Sequence, residues 1–153
     1  MKLKNEYIVN TSTCLLISMV DRITKVHEME TNYFVNKTAT DIINKSCFYF
    51  GSSLAERQNV TKRLIKVAVK APIILVDSKK IIFFPTKSPR EKNCTWISYN
   101  NISKYIKDGP RKTKIIFKNN SEFSLNVSYN IIDNQITRCM KLEKELNKRL
   151  KSL

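Results

Sequence analysis

A single histidine, His27, limits the acid–base chemistry open to this chain. A serine or cysteine nucleophile normally needs a positioned base, and His27 lies between Val26 and Glu28 in a charged stretch. The four cysteines, Cys14, Cys47, Cys94 and Cys139, are separated by 33, 47 and 45 residues. That spacing makes no C-x-x-C pair and no zinc knuckle, so they read as reduced, mostly buried thiols. Two glycines, Gly51 and Gly109, cannot supply a Walker-type or dinucleotide-type phosphate loop. One pattern is enzyme-like: Asp77-Ser78-Lys79 after a strand, where a carboxylate and a lysine would hold a divalent ion and polarise a phosphate. A metal nuclease needs a second carboxylate nearby, and residues 37–118 hold just five acids, so a hairpin turn is the preferred reading. No catalytic residue, metal or cofactor is expected, and the chain reads as a non-enzyme.

What remains is charge. Twenty-eight Lys and Arg stand against thirteen Asp and Glu, a net +15 over 153 residues. Lysine, isoleucine and asparagine (21, 18 and 15 residues) are all encoded by A/T-rich codons, which explains lysine in place of arginine. It does not explain the shortage of acids, whose codons tolerate the same bias. The distribution is more telling: residues 1–36 are net 0, residues 37–118 net +13, and residues 119–153 net +2. Charge concentrated in the middle is the pattern of a polyanion-binding surface.

Phosphate contacts made by Lys and Arg supply affinity for nucleic acid through counterion release. Arg57, Lys62, Arg63, Lys66 and Lys70 fall within fourteen residues. Gly51, Ser52 and Ser53, at a predicted helix start, offer backbone N–H groups and hydroxyls to a phosphate. The segment from Thr86 to Lys92 adds Lys87 and Arg90 between stiffening prolines, a form suited to a narrow, negative minor groove. Aromatic residues are not interleaved with these cations as on a single-strand stacking platform. Duplex DNA is therefore favoured, with structured RNA or the ribosome as the alternative partner.

The elements that must position these residues follow from periodicity. Tyr7 to Val20 reads as two short strands, with further strands at 23–29 and 32–36. Thr40 reads as the N-cap of a helix whose apolar positions are Ile42, Ile43, Cys47, Phe50 and Leu54. Gly51-Ser52-Ser53 interrupts it, and Ser53 with Glu56 starts a second helix to about Leu64. Ile73–Val76 and Ile81–Phe84 flank Asp77–Lys80 as a hairpin, and Pro85 is expected to leave the sheet. A strand at 94–99, a helical turn at 102–107 and a hairpin at 114–118 and 122–127 come next. From Tyr129, Ile132, Ile136, Cys139, Leu142, Leu146, Leu150 and Leu153 recur every three to four residues, a long amphipathic helix over about 130–151. Its stripe either packs on the sheet or forms a dimer seam. The expected fold is α+β: one domain over 1–153, with a curved antiparallel sheet core, short helices inserted at about 40–64 and a C-terminal helix. Within it, 1–36 forms N-terminal strands, 37–118 the basic core, and 119–153 the terminal hairpin strand and helix. No apolar run approaches the ~20 residues of a membrane span, so no membrane partner is expected and a cytoplasmic protein is.

Ser46-Cys47-Phe48-Tyr49-Phe50-Gly51-Ser52-Ser53-Leu54-Ala55-Glu56-Arg57 resembles a signature of the bacterial competence transcription factor (ComK) family. The resemblance continues through Lys70-Ala71-Pro72-Ile73, Ile81–Thr86, Cys94–Ser98 and Ser128-Tyr129-Asn130, spanning roughly residues 31–138. It implies a nucleoid-associated transcriptional activator of competence, binding A/T-rich boxes largely through the minor groove as a homo-oligomer on paired boxes. Gly51, Ser52, Ser53, Arg57, Lys70 and Thr86 match motif positions, whereas Lys62, Arg63, Lys66, Lys87 and Arg90 enter on charge alone. Longer relatives continue into a tail associated with adaptor-mediated proteolysis. The chain ends at Leu153, which leaves that partner and full activator strength open.

Overall fold

The computed structural model describes residues 3–153. Among the described residues, ten strands and three α-helices follow one another as β1 (Leu3–Lys4), β2 (Thr13–Ser18), β3 (Thr24–Glu28), β4 (Asn32–Val35), α1 (Ala39–Tyr49), α2 (Leu54–Ile65), β5 (Ile73–Val76), β6 (Ile81–Pro85), β7 (Trp96–Ser98), β8 (Ile102–Lys107), β9 (Thr113–Phe117), β10 (Glu122–Leu125) and α3 (Tyr129–Lys151). The strands make a seven-stranded sheet, β1-β4-β3-β2-β7-β6-β5, and a three-stranded sheet, β10-β9-β8. All pairings are antiparallel except β1 with β4.

Both faces of the large sheet are covered, which explains its composition. Side chains alternate across a strand, so a strand buried on both faces reads as a continuous apolar run. Leu16, Ile73, Leu75, Phe83 and Trp96 face one way and pack under Ile42, Ile43, Cys47 and Leu54 of α1 and α2. Leu15, Ile74, Ile82, Phe84 and Ile97 face the other way. They meet Ile115 and Phe117 of the small sheet and Ile132, Ile136, Cys139, Leu142 and Leu146 of α3. The α3 stripe is therefore core up to Leu146, while Leu150 and Leu153 are exposed. Each large side chain so buried contributes roughly 1.5–3 kcal/mol.

The α+β architecture matches the expectation from periodicity; several local readings do not. Residues 102–107 form β8 and not a helical turn, because Ile102, Tyr105 and Ile106 find partners on β9 (Tyr105 opposite Ile115, Ile106 opposite Lys114). With β9 and β10 they make a second sheet instead of extending the first. The helix α1 is capped by Thr38, whose Oγ1 accepts from Asp41 N at 3.1 Å. Thr40 does not cap the helix, and its hydroxyl accepts instead from Trp96 Nε1 at 3.0 Å. Tyr7 and Val9 are buried without joining a strand, and the Tyr7 hydroxyl is tied to Thr13 and Glu28. Pro85 stays in the sheet opposite Trp96. The β5 register stops at Ile73 opposite Phe83, so the missing N–H of Pro85 forfeits no ladder bond. Phe50 is not on the buried face of α1 but 40% exposed.

Candidate nucleic-acid interface

Three of the predicted cations converge. A groove of about 580 Å³ opens between α1, α2, the linker after α2 and the loop after β6, and Lys62, Lys70 and Arg90 line it. The placement follows from local structure. Leu54, Gln58 and Lys62 recur every four residues on α2, which puts them on one face. Leu54 is buried, so the face is anchored in the core while Gln58 and Lys62 line the groove. Lys70 is brought in by a left-handed backbone (φ 53°), and its carbonyl accepts from Gln135 Nε2 of α3 at 2.9 Å. Arg90 sits on a turn closed by Glu91 N donating to Ser88 O at 3.0 Å.

Asn44 of α1, Gln58 of α2 and Ser88 of the loop complete the polar lining. Spacing held a signal for two of them: Thr40 and Asn44 lie four apart on α1, as Gln58 and Lys62 do on α2. The one carboxylate in the lining, Asp41, lies 3.7 Å from the Arg22 guanidinium, so its charge is partly offset from outside the groove. The result is a cationic groove edged by neutral hydrogen-bonding groups.

Other predicted residues are elsewhere. Arg57 turns inward: Nη1 donates to Ile74 O at 2.9 Å and Nη2 to Cys47 O at 3.2 Å. It ties α2 to edge strand β5 and to the end of α1. Thr61, one turn on, seals the same edge by donating to Pro72 O at 2.6 Å. Thr86 is 3% exposed, and its hydroxyl donates to Thr95 O at 3.0 Å. Neither Arg57 nor Thr86 is free to meet a phosphate.

Gly51, Ser52 and Ser53 do not make an open anion cradle either. Gly51 adopts φ 118°, a conformation that favours glycine. The N–H groups of Gly51 and Ser52 donate to Phe48 O and Cys47 O. Ser53 and Glu56 form a reciprocal capping box, and Leu54 N donates to Asn44 Oδ1 at 3.1 Å. These bonds from Ser53 hold the Glu56 carboxyl below its usual range, so an anionic group already occupies this helix start. Arg63 and Lys66 are exposed at the far end of α2, outside the groove lining, and Lys87 is half-buried outside it. Phe48 and Tyr49, within the same signature, are 62% and 71% exposed at the end of α1.

Asp77 opens the β5–β6 turn, its carbonyl accepting from Lys80 N at 3.1 Å. Among the described residues no three His, Cys, Asp or Glu side chains gather as a metal site would require. His27 packs at a tilt against Phe123, with ring centroids 4.3 Å apart, and its Nδ1 lies 2.7 Å from Asn32 Oδ1. The four cysteines are buried free thiols. Among the described residues no helix is long and apolar enough to cross a membrane.

Residues 4–151 match the family model for the ComK protein, and the chain belongs to the ComK family. The competence transcription factor of Bacillus subtilis (strain 168) is 32% identical over 126 residues, which cover 82% of this chain and 66% of that protein. The chain thus spans just under two thirds of that relative's length. No solved structure matches it.

Proposed function

We propose that this chain is a transcriptional activator of competence that binds A/T-rich boxes in duplex DNA through the minor groove and phosphate backbone. Membership of the ComK family and the similarity to a competence transcription factor support the class. The observation that carries the mode of binding is the convergence of Lys62 and Lys70 with Arg90, which comes from a separate loop, on one groove. Arg90 stands on a short loop stiffened by Pro89, a form that can enter a narrow groove with little loss of freedom. Of the residues named from the sequence, we retain Lys62, Lys70 and Arg90 as primary contacts, with Arg63, Lys66 and Lys87 as flanking phosphate contacts. Gly51, Ser52, Ser53, Arg57 and Thr86 are assigned to holding the groove in shape.

A gel shift on an A/T-box promoter fragment tests the reading. Wild-type protein should bind the fragment in preference to G/C-rich duplex and to structured RNA, and minor-groove drugs should compete. Replacing Lys62, Lys70 and Arg90 by Ala should flatten the log–log salt dependence by about 0.9 per phosphate no longer neutralised, about 2.7 in all. Preference for RNA, or binding indifferent to the triple substitution at every salt concentration, would overturn it.

A further inference from the structure

The net charge of the C-terminal segment conceals how its lysines are arranged. Lys141, Lys144, Lys148 and Lys151 follow at intervals of three, four and three along α3. At about 100° per residue they fall within roughly 80° of arc. That arc lies opposite the seam of Cys139, Leu142 and Leu146 that packs into the core, so all four lysines are exposed on the outward face.

The acids of α3 offset this face only in part: Glu143 shares a cavity with Lys144, Lys148 and Lys151, and Glu145 borders Lys141 and Lys144, but four lysines and Arg149 outweigh them. Asp133 accepts from the Tyr105 hydroxyl at 2.7 Å, Glu143 from the Tyr99 hydroxyl at 3.3 Å, and Glu145 pairs with Arg149. None of the four lysines makes a salt bridge among the described residues. Like charges three and four residues apart destabilise a helix. The helix dipole favours cations in the last turn, which accounts for Lys148 and Lys151. It does not account for Lys141 and Lys144, two turns and more from the end. An A/T-rich code supplies lysines but does not align them.

The stripe is also joined to the groove. Lys141 and Lys144 lie beside Leu64 and Ile65 of α2 around a small cavity of about 290 Å³. Arg63 and Lys66 flank that pair in sequence, and Lys62 lines the groove itself. On the other side, Arg138 of α3 donates to the Val69 and Lys70 carbonyls at 2.9 and 3.5 Å, which fixes α3 to the groove wall. A cationic track therefore runs from the groove over the end of α2 and along α3. From Lys141 to Lys151 it extends about 15 Å, the rise of roughly four base pairs.

We propose that the outward face of α3 is a second phosphate-binding track, gripping the backbone of the same duplex beyond the box seated in the groove. It rests on the reading of the groove as a duplex-DNA site. It lengthens the footprint and adds sequence-independent affinity, because lysines at this spacing meet phosphates and not base edges.

The test compares three proteins on an A/T-box duplex of graded length: wild type, a stripe variant with Lys141, Lys144, Lys148 and Lys151 changed to Ala, and a control with Lys104, Lys107, Lys112 and Lys118 changed to Ala. Both variants lose four exposed lysines and the same net charge. The stripe variant should keep its preference for the A/T box. Its log–log salt slope should shallow by about 0.9 for each phosphate it ceases to neutralise, up to about 3.6. Its hydroxyl-radical footprint should shorten by roughly four base pairs, and the control should keep the wild-type footprint and most of its slope. Equal losses in the two variants would reduce the effect to net charge and overturn the proposal, as would an unchanged stripe-variant footprint. A wild-type protein that binds no duplex would instead sink the groove reading on which it stands.

Discussion

Replacing Arg57 separates two roles that a guanidinium in a basic segment can play. Its two hydrogen bonds do not carry equal weight. Cys47 O already accepts from the N–H groups of Phe50 and Ser52, at 3.0 and 3.2 Å, so it keeps partners when Arg57 is truncated. Ile74 belongs to edge strand β5, and its carbonyl receives Nη1 at 2.9 Å under the cover of α2. Losing that donor leaves a buried acceptor unpaired, worth about 1–3 kcal/mol, and the charged bond to Cys47 adds about 1 kcal/mol. The Arg57 Nε, buried without a partner, offsets part of this gain in the wild type. Arg57→Ala should therefore destabilise the fold by about 2–3 kcal/mol. For a chain of this length that lowers Tm by roughly 4–12 °C. Arg57→Lys should lose most of the same stability, because a compact ammonium cannot span both carbonyls. A phosphate contact would tolerate lysine. Urea unfolding followed by circular dichroism measures the loss, and gel shifts at low temperature measure affinity of the folded protein. Wild-type stability together with a flattened salt dependence in Arg57→Ala would refute the structural assignment.

Other perturbations follow from described contacts. Ser53→Ala removes half of the capping box that starts α2 and should cost about 1 kcal/mol in urea unfolding. Because Ser53 holds the Glu56 carboxyl below its usual 4.5, that cap contributes fully above this value, and wild-type stability should fall with acid below it; Ser53→Ala should blunt the decline. Burial, aided by the charge of Lys25, holds His27 below its ordinary 6.5. The unfolded chain therefore takes up this proton first. Stability should be full above pH 6.5 and decline as pH falls below it, a decline that His27→Gln should flatten in a series of melts. Burial pushes the Cys14 and Cys47 thiols up to about 11 and raises Cys94 and Cys139 as well. An aromatic disulfide reagent at pH 8 should label none of the four in native protein and all four in denaturant. Fast native labelling would show that the core opens.

Where local pattern and tertiary need agree, the fold was legible. The runs Ile73–Val76 and Ile81–Phe84 are apolar throughout because the sheet is covered on both faces. The Ser53–Glu56 box and the α3 seam are read from spacing alone. Residues 102–107 were not legible, since Ile102, Tyr105 and Ile106 fit a helical interval of three to four as well as a strand. Only the pairing with β9, ten residues on, decides between them. The site divided along the same line. Charge singled out the segment that lines the groove, but whether a cation meets carbonyl oxygens or solvent depends on the edge of a sheet that the local residues do not reveal. Arg57 went to the sheet, and Lys62, five residues on, to the groove. Counting charge by segment hid α3, where three acids lower the sum without interrupting the run of lysines along one face.

The closed sandwich has a consequence for how such a molecule diversifies. With each face of its central layer roofed over and β5 sealed by Arg57 and Thr61, the sheet's side chains are committed to the core. On the proposed duplex-binding reading, preference for one promoter over another would then reside in the outward side chains of α2 and the proline-braced loop, with α3 adding grip that does not read sequence. Side chains there can be exchanged without disturbing the frame beneath, and a shift of operator taste need not risk the fold.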